Sequence, residues 1–383
     1  MGCDISSLPR RAIVNKIFDF LEPQDRAIPD STVVSLYKRI TAHSQSPDQL
    51  SAAKVFWGLK GNWWKQIIDG HYHDCGPMVF DKGLHFEDKV EPGYFKGILN
   101  ACRFISYHFC ELPTPELYKR IHAIACSHFE GAKTNTLITA QATGQFRQRE
   151  ANLSLGCSVN FFDADPNFPP EREALLEDMN ILFFAEGVYK ETDPREWNQV
   201  FIKLGFTRED DFKIAVKHAK VVLNKFNHHV AKRVAQLNAE IQKRSAELGV
   251  EPIAVVSQLE TTYPWKMKIE YKNDRVEPIV NQLFNNYAAN IRKAKSDDEK
   301  ILAVADLYQM LEWLHPFKDG QGRTDIILKE KLLCDCGLTP SILDAPYFST
   351  FAPLNEWFTY LKEGMDRWKK ERSNQNQQLK HNI

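Results

Sequence analysis

Between Phe212 and Ile241 an apolar residue returns at intervals of three and four: Phe212, Val216, Ala219, Leu223, Phe226, Val230, Val234, Leu237 and Ile241. This near-heptad stripe lasts about eight helical turns, and strands, with a side-chain period of two, cannot present it on one face. Thr207 is placed to cap such a helix, Glu209, Asp210 and Asp211 suit the positive end of its dipole, and Gly249 suits its stop. A stripe of this length does not stay in water. It predicts packing along another helix, within the same chain in preference to a partner, and sets the expected fold class as all-α.

Most of the remaining chain agrees. Residues 10 to 140 carry apolar positions at helical spacing, broken by Gly58, Gly61, Gly70, Gly76-Pro77 and Pro92-Gly93, with Trp57, Trp63 and Trp64 as core candidates. The exception lies at Leu137 to Ala140, Gly144 to Arg147 and Ala151 to Leu155, where apolar and polar residues alternate before Gly156 and predict a small hairpin. An acid-rich helix is expected from Glu171 to Glu186, after Pro169 and Pro170. The Asn-, Gln- and Lys-rich end from Lys369 to Ile383 predicts disorder.

Lys and Arg number 49 against 50 Asp and Glu, a formal net charge of -1, which argues against a charge-driven nucleic-acid binder. No apolar run reaches the length of a membrane span. Eight cysteines in 383 residues are too sparse for a disulfide scaffold and point to a reducing compartment. On a strand His71, His73 and Cys75 would share a face, but no fourth ligand follows at zinc-site spacing, and solvated loop histidines are the simpler reading. A phosphate loop of the Walker type at Lys133-Thr134 fails, because Ser127 and Ala132 stand where that loop needs glycine.

The start Met1-Gly2-Cys3-Asp4-Ile5-Ser6 fits N-myristoylation at Gly2 and palmitoylation at Cys3. Two acyl chains give the stable membrane attachment that one cannot. Bacteria do not make this modification on their own proteins, so in a bacterial protein it would mark action inside a eukaryotic cell.

The chemistry concentrates between two predicted helices. Ser296-Asp297-Asp298-Glu299 has the capping-box form, Ile301, Val304, Leu307, Leu311 and Leu314 give an apolar face, and Pro316 ends the helix. A second helix is expected directly after Arg323, with Asp325 in its first turn, Ile326, Ile327, Leu332 and Leu333 as its apolar residues, and Gly337 as its stop. The loop between them, His315-Pro316-Phe317-Lys318-Asp319-Gly320-Gln321-Gly322-Arg323, reads as a phosphate site. Gly320 and Gly322 free backbone N–H groups to face an anion at a helix N-terminus, and Arg323 suits phosphate oxygens. Asp319 suits Mg2+ bridging two phosphates, and His315 can take a proton from an attacking hydroxyl. Phe317 is expected to point into the core and pin the loop.

These residues resemble the signature of the Fic (filamentation induced by cAMP) family, His-Pro-Phe-x-Asp/Glu-Gly-Asn-Gly-Arg-x-x-Arg, at seven fixed positions. The resemblance covers about 90 to 185 and 276 to 370. It implies a helical core with a small β-hairpin flap, Gly144, Gln145, Phe146 and Arg147, that holds a target peptide by strand addition. It implies His315, Asp319 and Arg323 as catalytic residues, Asp319 as the Mg2+ ligand, and Lys318, Gly320, Gln321, Gly322 and Arg323 as the nucleotide-binding loop. The donor would be ATP, another nucleoside triphosphate or a nucleotide conjugate. The acceptor would be a Ser, Thr or Tyr hydroxyl of a host protein, as for a bacterial effector acting at the cytoplasmic face of a host membrane.

Two departures bear on the donor. Gln321 replaces the usual Asn, and Ile326 stands in place of the second Arg, removing a contact to the distal phosphates. Family members without the usual pattern transfer phosphocholine or, in the AvrB-like plant-pathogen effectors whose Met-Gly-Cys start this chain shares, a sugar. A catalytically inactive binding scaffold is the rival from another class. Thr359 to Gly364 matches the form of the family's inhibitory helix, but its arginine partner is absent at Ile326, and Lys362-Glu363-Gly364 reads as an ordinary helix end.

The expected organisation is a lipidation signal at 1–9, an N-terminal helical extension at 10–90, a first part of the core with the flap at 91–186 and a helical insertion at 187–275. A second part with the catalytic loop follows at 276–370, then a disordered tail at 371–383. Flap and catalytic loop, about 160 to 170 residues apart, must then meet in space.

Overall fold

A computed structural model describes residues 46–68, 93–127, 143–147, 209–258, 265–268 and 276–381. Of the described residues 73% are helical, so the all-α expectation holds at that level. Among them no helix is long and apolar enough to cross a membrane. The lipidation start, His71 to Cys75, Lys133-Thr134, the acid-rich helix at 171–186 and all of the expected hairpin except 143–147 lie outside them.

Helix α1, Pro47–Phe56, begins at Ser46, whose side chain accepts from the Gln49 N–H, and leads into a 3-10 helix at Lys60–Gln66. Helix α2 is Tyr94–Ser106, and α3, Pro115–Ala125, is capped by Thr114 with proline at its first position. The long helix α4 spans Glu209–Glu247 and a two-stranded antiparallel sheet follows, β1 at Val255–Gln258 and β2 at Trp265–Lys268. Then come α5 (Val276–Lys293), α6 (Asp297–Leu314), α7 (Gln321–Asp335), a short α8 (Phe348–Phe351) and α9 (Leu354–His381).

α7 is the axis of the core. It packs against α6, α3, α1 and α2, and nearly every residue from Thr324 to Cys334 is buried. Burial all round exceeds the four apolar residues seen in its sequence, since Lys329, Glu330 and Lys331 are inside as well. Indole N–H groups tie the surrounding layers together: Trp57 to Ser106 Oγ at 2.8 Å, Trp313 to the Thr350 carbonyl at 2.9 Å, Trp357 to the Ala305 carbonyl at 3.1 Å and Trp368 to Gln66 Oε1 at 2.9 Å. Trp57, Trp63 and Trp64 are core residues, as their clustering suggested. The described residues of the expected N-terminal extension therefore share one apolar core with the other described helices.

The capping box at Ser296 and Glu299 is formed, and every residue of the predicted α6 face is buried. At the end of α4, Leu237 and Ile241 are buried, Val234 packs beside them, and Gly249 takes a left-handed φ of 67° that closes the helix. Packing within the chain is thus the outcome for the described part of the stripe.

Four expectations need correction. The segment 187–275, expected as a helical insertion, is not wholly helical, since it carries β1 and β2. Four-residue strands leave little pattern to read, and the Asn238 side chain on α4 stabilises this one, accepting from the Val256 N–H at 2.9 Å and donating to its carbonyl at 2.8 Å. The tail expected to be disordered is helical as far as His381. It extends a helix already nucleated by packing, where adding good helix formers such as Lys and Gln costs little, and Glu371 pairs with Lys65 at 2.7 Å. Gly364 is not a helix end but lies inside α9, where its carbonyl accepts from the Ile342 N–H at 2.9 Å and a Cβ would press on Leu343. α7 starts at Gln321, so Asp325 lies beyond its first turn and is buried.

Candidate functional site

The catalytic-loop candidate leaves α6 through His315, a non-glycine residue in left-handed conformation (φ 45°, ψ 58°) whose N–H donates to the Leu311 carbonyl at 2.7 Å. That conformation costs about 1 kcal/mol, and Arg147 holds it. Arg147 Nε donates to the His315 carbonyl at 2.7 Å, a second guanidinium nitrogen reaches the same oxygen, and the Arg147 backbone N–H donates to the Pro316 carbonyl at 2.8 Å. Flap candidate and catalytic loop therefore meet across 168 residues of sequence. Burial, with the Arg147 charge second, lowers the His315 pKa to about 3 against a weaker opposing effect of the Glu312 backbone. The ring is neutral at physiological pH.

Phe317 is fully buried. Its ring stacks on His122 at 3.9 Å and 17°, with Tyr118 at 4.8 Å and Phe146 at 5.2 Å. Lys318 is exposed and Asp319 half-buried, with Oδ1 accepting from the Gly320 N–H at 2.7 Å. Gly320 combines a φ of 72° with a site where a Cβ would overlap Cys126 Sγ, so only glycine fits. Gly322 is different. It is exposed, helical in backbone, and a Cβ there would meet nothing within 4 Å. No side chain caps this end of α7. The Arg323 guanidinium lies 4.6 Å from the centre of the Tyr94 ring, beside the same helix end.

Gln321 is turned inward. Its Oε1 accepts from the Phe317 N–H at 3.2 Å, and Nε2 donates to Tyr118 Oη at 2.5 Å and to Asp325 Oδ2 at 2.6 Å. The amide is used within the loop's support, leaving the backbone N–H as its contribution to an anion site. Ile326 is a core residue at 7% exposure. Glu363 is exposed on α9. In the segment expected as the flap, Gly144 is left-handed, Gln145 is exposed, and Phe146 and Arg147 are half-buried against the loop.

Reading the sequence missed the support beneath the loop. Tyr118, His122 and Cys126 recur every four residues along α3 and meet Asp325, Asp319 and Gly320 respectively. The available signal was that spacing on an amphipathic helix. Also missed was an acid pair in which Asp325 is buried and Glu312 half-buried. Burial first, and then the Glu312 charge, push the Asp325 pKa well up, while burial raises that of Glu312 to about 7; the two carboxyls are hydrogen-bonded to each other and hold a proton between them.

Among the described residues no group of three His, Cys, Asp or Glu side chains forms a metal cage. Asp319, with one carboxylate oxygen not used by Gly320, fits the alternative, a Mg2+ ion held by one protein carboxylate together with phosphates and water. No protein-family model and no curated protein matches this chain.

Proposed function

We propose that this protein is a Fic-type transferase that moves a nucleoside monophosphate from a nucleotide donor to a Ser, Thr or Tyr hydroxyl of a host protein. The observation that carries the reading is the junction of Gly144 to Arg147 with the loop from His315 to Arg323, because a target held on the first segment then faces a histidine and an anion-ready helix end on the second.

His315, neutral and held by Arg147, accepts the proton as the target oxygen bonds to the donor phosphorus and the bond to the leaving phosphate oxygen breaks. N–H groups at the uncapped start of α7 and the Arg323 guanidinium stabilise charge on the leaving group. Asp319 would hold Mg2+, which supplies charge neutralisation at the phosphates when bound. A pKa near 3 makes His315 a weak base in the free protein, below the range in which a general base works best at neutral pH.

Ile326 in the core leaves no second cation at that position for distal phosphates, which keeps a nucleotide-linked phosphocholine or sugar as alternative donors. An inactive binding scaffold is the reading to beat. Gly2 and Cys3 acylation would place the activity at a host membrane.

Incubation with host lysate and each donor, followed by the mass added to modified peptides, identifies donor and acceptor together. Labelling that vanishes in His315→Ala with the melting temperature preserved is the expected result; labelling undiminished in that variant sinks the proposal.

A further inference from the structure

His122 is buried at 1% exposure, yet it spends both ring nitrogens outside its own helix. Nδ1 accepts from the Gly144 N–H at 2.8 Å, and Nε2 lies 2.8 Å from the Asp319 carbonyl. A carbonyl only accepts, so Nε2 carries the proton and the ring is the neutral Nε2–H tautomer. The two partners belong to the two segments that the transferase reading needs to register.

Each neighbour of the ring reinforces the link. Gly144, left-handed at φ 71°, lies so close to α3 that a Cβ would sit 3.0 Å from Ala123 Cβ and 3.1 Å from the Lys119 carbonyl. Phe317 stacks on the ring at 3.9 Å. The carbonyl that His122 holds belongs to the same residue whose carboxylate turns back onto the Gly320 N–H, so fixing one restrains the other. Arg147 clamps the other end of the loop at His315 and Pro316.

We propose that His122 is a positioning residue, the relay of a latch that makes the placement of the flap segment and the placement of the Asp319 carboxylate a single conformational variable. Its consequence for transfer rests on the transferase reading; the latch itself is observable without activity. A side chain with one acceptor and one donor, such as Gln, can keep part of the relay, and Leu cannot.

The test begins with the unsubstituted protein, labelled with 15N at histidine. Nitrogen shifts of a neutral Nε2–H ring at pH 7 are expected for His122, and an Nδ1–H or charged ring overturns the latch without any variant needing to fold. In His122→Leu the Gly144 amide should exchange at least tenfold faster and trypsin should cut after Arg147 faster, with His122→Gln restoring most of both; unchanged exchange and cleavage overturn the proposal. Once a donor and target are known, kcat should fall at least tenfold in His122→Leu with a smaller change in target KM and recover in His122→Gln. A fall in kcat with exchange and cleavage unchanged counts against the latch. If exchange and cleavage respond but the unsubstituted protein transfers nothing from any donor, the latch stands and the transferase reading fails.

Discussion

The two halves of α7 bury polar groups by opposite means. In the C-terminal half Lys329 and Glu330 pair at 2.6 Å with almost no exposure, Ser341 donates to both Glu330 oxygens at 2.9 and 2.8 Å, and Lys331 pairs with Asp335 while donating to the Glu111 carbonyl at 2.8 Å. In the N-terminal half, beneath the loop, Asp325 meets another acid, Glu312, and neutral donors from Tyr118 and Gln321. Opposite charges hold geometry across the ordinary pH range, whereas a shared proton makes the support of the loop depend on pH. At the end where chemistry is proposed the buried acid is met by another acid, and at the opposite end Glu330 and Asp335 are each met by a lysine.

The contrast can be broken at its stable end first. Lys329→Met leaves Glu330 buried without its cation and should cost about 3–5 kcal/mol in urea unfolding, with Lys329→Met/Glu330→Gln recovering part of it. A loss under 1 kcal/mol would show that the ion pair is not what holds this half.

At the loop, Gly320→Ala should cost about 2–4 kcal/mol through the left-handed backbone and the overlap with Cys126. Cys126→Ala in the same chain should return the steric part only. Thermal unfolding of the four combinations separates strain from overlap.

Glu312→Gln addresses the acid pair. The Glu312 pKa is raised in the folded protein from the ordinary 4.5 to about 7, so its stabilising contribution is full below about pH 4.5 and is lost as pH rises through 7. The unsubstituted protein should therefore lose on the order of 1–3 kcal/mol between pH 5 and pH 9 from this group, and the Gln variant should not. Matching stability profiles for the two would remove the shared proton from the account.

The smallest effect on stability is the sharpest on function. Gly322→Ala should leave stability unchanged or raise it by about 0.5–1 kcal/mol, because the backbone is helical and the space open. Nucleotide binding measured by calorimetry with Mg2+ should weaken about tenfold if an anion sits against that helix end, since the methyl group would stand in its way. Unaltered binding would move the nucleotide elsewhere.

Much of the site's local grammar was legible. Ser296 and Glu299 announce α6 by a chemistry that needs no tertiary partner, Pro316 ends it, and Gly337 stops α7. His315, Asp319 and Arg323 could be singled out as chemistry-bearing because glycine and charge crowd a short loop between two apolar helices. The roles of Tyr118, His122, Glu312 and Asp325 could not be read, even where spacing marks the residue, because what they do depends on partners up to 207 residues away. The same limit explains Gln321, whose place in the motif suggested phosphate while its amide faces the core, and Gly364, whose glycine is required by a neighbour rather than by a turn.

The sequence by itself determined the helical class, both ends of α6, the stop of α7 and the turn between the two helices, since spacing, caps and breakers act within a few residues. Only the tertiary structure decided which charges α7 takes inside and that Arg147 and His122 join the segment from Gly144 to Arg147 to the loop. Those choices depend on desolvation and on hydrogen-bond partners that come together only when distant helices pack.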